Sequence, residues 1–143
     1  MSNFEPDARL VTDSYPVTEL PLCQLRMMND QRYVWLILIP RREQVSEVHE
    51  LSTTDQRRLW REGTRLGQAI KQHFDGDKLN IATLGNVVAQ LHLHVVLRKE
   101  GDAAWPGPVW GHSKARPYTS DQQAEMRNRL LALVDAIDWG EPA

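Results

Sequence analysis

Seven consecutive residues, Tyr33-Val-Trp-Leu-Ile-Leu-Ile39, carry no charge, and Pro40 follows them. A strand sends alternate side chains to opposite faces, so an apolar run without alternation needs cover on both. Seven residues is strand length rather than helix length, and the proline removes a ladder donor and closes the run. The chain must therefore build a sheet around this segment and lay other elements over both of its faces. Leu22 to Met28 reads as a neighbouring strand, joined through the turn-forming Asn29-Asp30. Residues 1–20 are polar and mixed, and read as a short helix or an irregular lead-in.

Two helical patterns supply the cover. Ser52-Thr-Thr-Asp55 matches a helix-start pattern, with Glu47 to Glu50 leading into it. Beyond it Leu59, Leu66, Ile70 and Phe74 recur at helical spacing. Arg57, Arg58, Arg61, Glu62, Arg65 and Lys71 fall mostly on other faces and read as a solvated surface. This predicts a helix of about five turns, ended by Gly76. Lys78 to Ala82 reads as a third strand, and Thr83-Leu-Gly-Asn86 as a tight turn into a fourth. Gly101 to Gly111 is too rich in Pro and Gly for regular structure. Ser120-Asp-Gln-Gln123 opens a last helix, about 120–138, with Met126, Leu130, Leu133, Val134 and Ile137 as its buried stripe. The order β-β-α-β-β-α with antiparallel hairpins predicts one α+β domain over residues 1–143.

Composition narrows the partners. A formal net charge of −2 provides no basic field, so a nucleic-acid polymer is not expected. The single cysteine, Cys23, cannot form an internal disulfide, which suits a reducing compartment. No apolar run approaches a membrane span of about 18 residues, and the N-terminus has neither the basic nor the apolar region of a signal peptide. A cytoplasmic location is expected.

The chemistry concentrates in Gln90-Leu-His-Leu-His-Val-Val96, where polar and apolar residues alternate. In a strand Gln90, His92 and His94 share one face while Leu91, Leu93 and Val95 enter the core, so the register holds both imidazoles outward. Three readings follow. The first is a polar sheet face with its imidazoles solvated or hydrogen-bonded. It could also supply two metal ligands about 6–7 Å apart, although the spacing picks out no third among His49, His73, His112 or the carboxylates, and those three histidines read as surface residues. The third reading is chemistry on a phosphate. A neutral imidazole is a capable nucleophile toward an activated phosphorus, and a second imidazole and an amide can donate to its oxygens. The turn Leu84-Gly85-Asn86 adds backbone N–H groups and another amide, so Gln90, His92, His94 and Asn86 form a plausible anion cradle without a metal.

These residues resemble the histidine triad motif of the HIT superfamily, three histidines alternating with hydrophobic residues. The likeness continues through Arg26-Met-Met-Asn29, Tyr33 to Pro40, Val48 to Asp55, Gly85-Asn-Val-Val88 and Trp105-Pro106, over roughly residues 10–112. A bacterial branch with Gln in the first triad position and a Trp-Pro-x-Pro-x-Trp-Gly segment, here Trp105 to Gly111, is similar in detail. The resemblance implies a HIT-like fold, an antiparallel sheet with a long central helix and a C-terminal helix, in a homodimer. It implies a nucleotide hydrolase or transferase that needs no cofactor, with His92 attacking the α-phosphate and His94 stabilising charge. Asn29, Gly85, Asn86 and Asn80 would bind ribose or phosphate. Trp105, like Trp110, would either stack on the base or pin its loop, whereas Trp35 and Trp60 read as core, and Met27 and Met28 as core or interface filler. The departure is Gln90, whose amide carries no charge near neutral pH, so a changed rate or pH dependence is expected. A nucleotide-binding module without turnover and a histidine-based metal protein are the alternatives.

Overall fold

The structure, a computed structural model, describes residues 4–140; the first and last three residues of the expected domain lie outside it. The elements are α1 (Ala8–Asp13), β1 (Ser14–Glu19), β2 (Cys23–Met28), β3 (Val34–Pro40), α2 (Thr53–His73), β4 (Lys78–Ala82), β5 (Leu93–Arg98) and α3 (Ser120–Ala136), with a 3-10 turn at Val48–Glu50. The strands form one antiparallel sheet in the order β1-β2-β3-β5-β4. The α+β class therefore holds, with one strand more than the sequence suggested. β1 was hidden in the polar lead-in because its outward residues are half-buried or exposed and its pairing shifts register between Pro16 and Thr18. An edge strand with a bulge shows little hydrophobic alternation.

β3 lies third in the sheet, between β2 and β5, and Leu36 to Pro40 are buried. Its partners on one face are Leu25, Met27, Leu93, Val95 and Leu97, which pack with Leu59, Leu66, Ile70, Leu130 and Val134 of α2 and α3. Burying a side chain of this kind contributes roughly 1.5–3 kcal/mol. The other face is roofed differently. Leu10 of α1 covers Ile37 and Ile39, while Ala104 and Val109 cover Val96 and Tyr33. Between these two partial roofs the sheet is left open. No helix among the described residues is long and apolar enough to cross a membrane.

Ser52 caps α2 by accepting from the Asp55 N–H at 3.1 Å. At the other end the left-handed residue is Asp75, φ 53°, and the Gly76 N–H donates to the Lys71 carbonyl. That is a Schellman closure with aspartate in the position usually held by glycine. Gly76 serves a different need: a Cβ there would lie 2.1 Å from Leu97 Cδ1.

Two expectations for α2 change. Glu62 is 2% exposed and accepts from the Leu22 and Cys23 N–H groups at 2.7 and 3.0 Å. Burial pushes its carboxyl above the ordinary value despite those donors. Trp60, conversely, is 60% exposed rather than core.

Candidate active site

The gap between the two roofs is a cavity of about 760 Å³, within the usual range of small-molecule sites, roughly 300–1,000 Å³. His92, His94 and Trp35 form its floor. Leu10, Thr12 and Asp13 of α1 wall one side, Trp110, Gly111, Ser113 and Lys114 another, and the loop 84–88 a third.

Sheet register sets the floor. Ile37 pairs with His94 and Trp35 with Val96, so Trp35 and His94 share the face turned away from α2. β5 begins at Leu93, and residues 83–92 form a ten-residue connection instead of the expected tight turn. His92 therefore stands at the end of this connection, just outside the strand. Its ring lies 4.9 Å from that of His94, centroid to centroid. Neither imidazole is outward in the sense of being exposed: His92 is 7% and His94 5% accessible.

Hydrogen bonds fix the two rings in opposite senses. His92 Nδ1 lies 2.7 Å from the Gln90 carbonyl oxygen. A carbonyl only accepts, so Nδ1 carries a hydrogen and, in the neutral ring, Nε2 keeps its lone pair. The Trp35 indole N–H donates to His94 Nδ1 at 2.9 Å. An indole N–H only donates, so in the neutral His94 ring the proton sits on Nε2. Burial, helped by the neighbouring His92, pushes His94 down to about 3, which keeps the ring uncharged near neutral pH. Trp110 packs edge-on against His94, with centroids 5.2 Å apart, and against Trp35 at 6.1 Å. The two neutral rings thus present opposite Nε2 atoms, a lone pair on His92 and an N–H on His94.

Comparison with known proteins shows the family. The model of the HIT domain matches residues 9–101, well over half of the chain. The chain belongs to the HIT family. A histidine triad (HIT) protein from Sinorhizobium meliloti 1021 is 44% identical with a TM-score of 0.89, over 92% of this chain and 98% of that one. A histidine triad protein from Marinobacter aquaeolei VT8 is 42% identical with a TM-score of 0.91, over 94% and 98%. One from Bradyrhizobium japonicum is 38% identical with a TM-score of 0.86, also over 94% and 98%. Comparison with curated proteins found no match. The fold seen here is accordingly the HIT fold.

Within that HIT fold the expected residues divide. His92, His94, Asn29, Gly85 and Asn86 line the cavity. Asn29 Oδ1 also accepts from the Tyr118 N–H at 2.9 Å, which ties the 116–118 segment to the β2–β3 turn. Gly85 has φ +79°, a backbone state suited to glycine. Gln90, Asn80 and Trp105 do not line the cavity. The Gln90 side chain turns to the N-terminal segment, because the strand that would have aimed it starts three residues later. Asn80 Oδ1 accepts from Arg98 Nη1 at 2.9 Å, and Trp105 lies against the same guanidinium, 5.7 Å from ring centre to Cζ. Arg98 in turn pairs with Asp102 at 2.8 Å, so this group pins the Pro/Gly loop, whose Trp105-Pro106 peptide is cis.

Trp110 is thus the loop tryptophan at the cavity, and Trp35, read as core, is a partner of His94. A signal for Trp35 existed, since an indole N–H in an otherwise apolar buried strand needs an acceptor. Among the described residues no group of three or more His, Cys, Asp or Glu is placed to hold a metal.

Proposed function

We propose that this HIT protein is a nucleotide hydrolase or transferase that acts at the α-phosphate of a nucleotidyl conjugate through a covalent nucleotidyl-His92 intermediate. The observation that carries the reading is the opposed pair of ring states on the cavity floor, with His92 Nε2 unprotonated and His94 Nε2 bearing hydrogen. In this mechanism His92 Nε2 attacks phosphorus, the bond to the leaving group breaks, and positive charge grows on the ring. The Gln90 carbonyl, on the Nδ1–H, stabilises that charge. His94 Nε2–H donates to a non-bridging oxygen as negative charge accumulates in the transition state. Water, or another acceptor in a transferase, then attacks the phosphorus and loses its proton, the P–Nε2 bond breaks, and the nucleotidyl group leaves the enzyme. The open backbone around Gly85 and the amides of Asn86 and Asn29 are suited to hold ribose and phosphate.

Dinucleoside polyphosphates and nucleoside phosphoramidates are the substrate candidates. Purified protein is expected to release a fluorogenic amine from its AMP phosphoramidate, and to do so undiminished after EDTA treatment. AMP binding without turnover across a panel of nucleotidyl conjugates would make the chain a binding module instead. Loss of activity with EDTA, restored by one divalent metal, would favour the metal reading.

The reading includes a homodimer. β4 is an edge strand, and Trp60 lies two helical turns before Gly67, whose Cβ position meets Leu79 of β4. An exposed tryptophan and an unpaired strand edge are hazards in a monomer and assets at an interface. Light scattering at micromolar concentration is expected to give twice the 16.5 kDa chain mass, and Trp60→Glu to shift it toward one. A wild-type particle of single-chain mass overturns the dimer. A cytoplasmic location fits Cys23, free and fully buried.

A further inference from the structure

The Gln90 side chain stands where a triad residue is expected, yet it does not line the cavity. Its amide behaves like a short piece of strand. Oε1 accepts from the Asp7 N–H at 2.6 Å and Nε2 donates to the Glu5 carbonyl at 3.3 Å. Two further contacts fasten the same N-terminal segment to the same connection. Arg9 Nη1 donates to the Val87 carbonyl at 3.2 Å, and Phe4 and Leu10 pack in one cluster with Val88. The N-terminal strap, residues 4–10, therefore grips residues 87–90. On the inner side of that grip is the Gln90 carbonyl, 2.7 Å from His92 Nδ1.

We propose that Gln90 is a positioning residue: its amide docks the N-terminal strap and so holds its own backbone carbonyl on His92 Nδ1, which fixes the ring with Nε2 free. This rests on the His92 mechanism above and extends it to the residue that departs from the triad pattern. Gln90 sits in a connection outside the sheet, where the peptide bearing its carbonyl is held on one side by the Leu91 N–H, which donates to the Val45 carbonyl at 2.9 Å. The strap holds the same residue on the other side, through its side chain. Residues 4–9 become part of the catalytic apparatus although none of them lines the cavity.

Four full-length variants test this. Gln90→Leu keeps the size and removes both side-chain bonds. Asp7→Pro removes the N–H that Gln90 accepts, and the Asp7 φ of −54° suits proline. It also removes the α1 cap on the Arg9 N–H, for which Asp7→Ala is the baseline. The double variant Gln90→Leu with Asp7→Pro closes the cycle. Gln90→Leu is expected to lower kcat about tenfold with KM within about twofold. Asp7→Pro should fall by a similar factor below Asp7→Ala. The double variant should be no slower than Gln90→Leu, because both act through one contact.

Ring-nitrogen NMR supplies a readout that needs no turnover. A single Nδ1–H form of His92 is expected in the wild type, and a mixture of forms in both Gln90→Leu and Asp7→Pro. A slow Gln90→Leu beside an Asp7→Pro that matches its baseline in kcat and ring state overturns the proposal, since the amide would then act on substrate directly. An unchanged kcat per folded molecule in Gln90→Leu overturns it as well. If the wild type turns over no conjugate but the ring states shift as expected, the positioning role stands and the enzymatic reading falls.

Discussion

His92→Ala is expected to lower kcat by at least about 10,000-fold while AMP still binds. The size follows from what the ring does: a nucleophile that forms the covalent intermediate has no substitute in the cavity, and removing such a residue typically costs four to six orders of magnitude. His94 cannot take over. Its Nδ1 is occupied by the Trp35 indole and its Nε2 carries the proton, so it has no lone pair to offer. Binding should survive because the walls, from Leu10 to Lys114, do not depend on the His92 ring. Rapid quenching of the wild type with an AMP conjugate, followed by peptide mapping, should place AMP on the peptide containing His92. Label on any other residue, or an alanine variant with more than a few per cent of wild-type kcat, refutes the assignment.

The second large effect lies at His94. Removing one preorganised donor to a developing charge costs about 100- to 1,000-fold in kcat, and His94→Ala should fall in that range with KM little altered. Trp35→Phe should cost less, roughly tenfold, because the ring remains but either nitrogen can then carry its hydrogen. pH separates this donor role from acid catalysis. With His94 held down to about 3, its charge does not change between pH 5 and 8, so no limb of the rate profile in that range belongs to it. The same displacement affects stability. An unfolded chain protonates this residue near 6.5 and the folded one only near 3, so the unfolded state binds more protons in between. Stability therefore rises with pH across that window and falls on acidification, by at most about 1.4 kcal/mol per pH unit from this group. Urea unfolding at pH 7 and pH 5 should show a smaller acid loss in His94→Asn than in the wild type. An equal loss in both would mean that His94 titrates normally.

Legibility in the sequence followed physical cause. Strands and helices whose burial pattern is complete were readable: β3 by its unbroken apolar run, β4 between its own boundaries, α2 by its cap at Ser52 and its stripe, α3 by its start. β1 was not, since an edge strand with a bulge leaves no regular alternation. His92 and His94 were legible because alternation with leucine and valine fixes their face. What escaped were interactions whose partner is remote in sequence. Trp35 finds His94 59 residues on, and Gln90 finds Asp7 83 residues back. Glu62 was read as solvated because charge at a helical position usually is, and only the N–H groups of Leu22 and Cys23 show otherwise. Asn80 and Trp105 fell to Arg98, a buried cation that claims its neighbours before any ligand can.

The cavity divides into parts with unequal freedom to change. Trp35 and His94 sit on strands whose reverse faces are core, so altering the floor disturbs the whole molecule. The walls come from α1, the loop 84–88 and the stretch after Trp110, and none of these carries much of the main core. Drift in those outer stretches can therefore retune which leaving group or base is admitted while the reaction itself is conserved. Divergence in taste with constancy of chemistry is the evolutionary pattern this architecture favours.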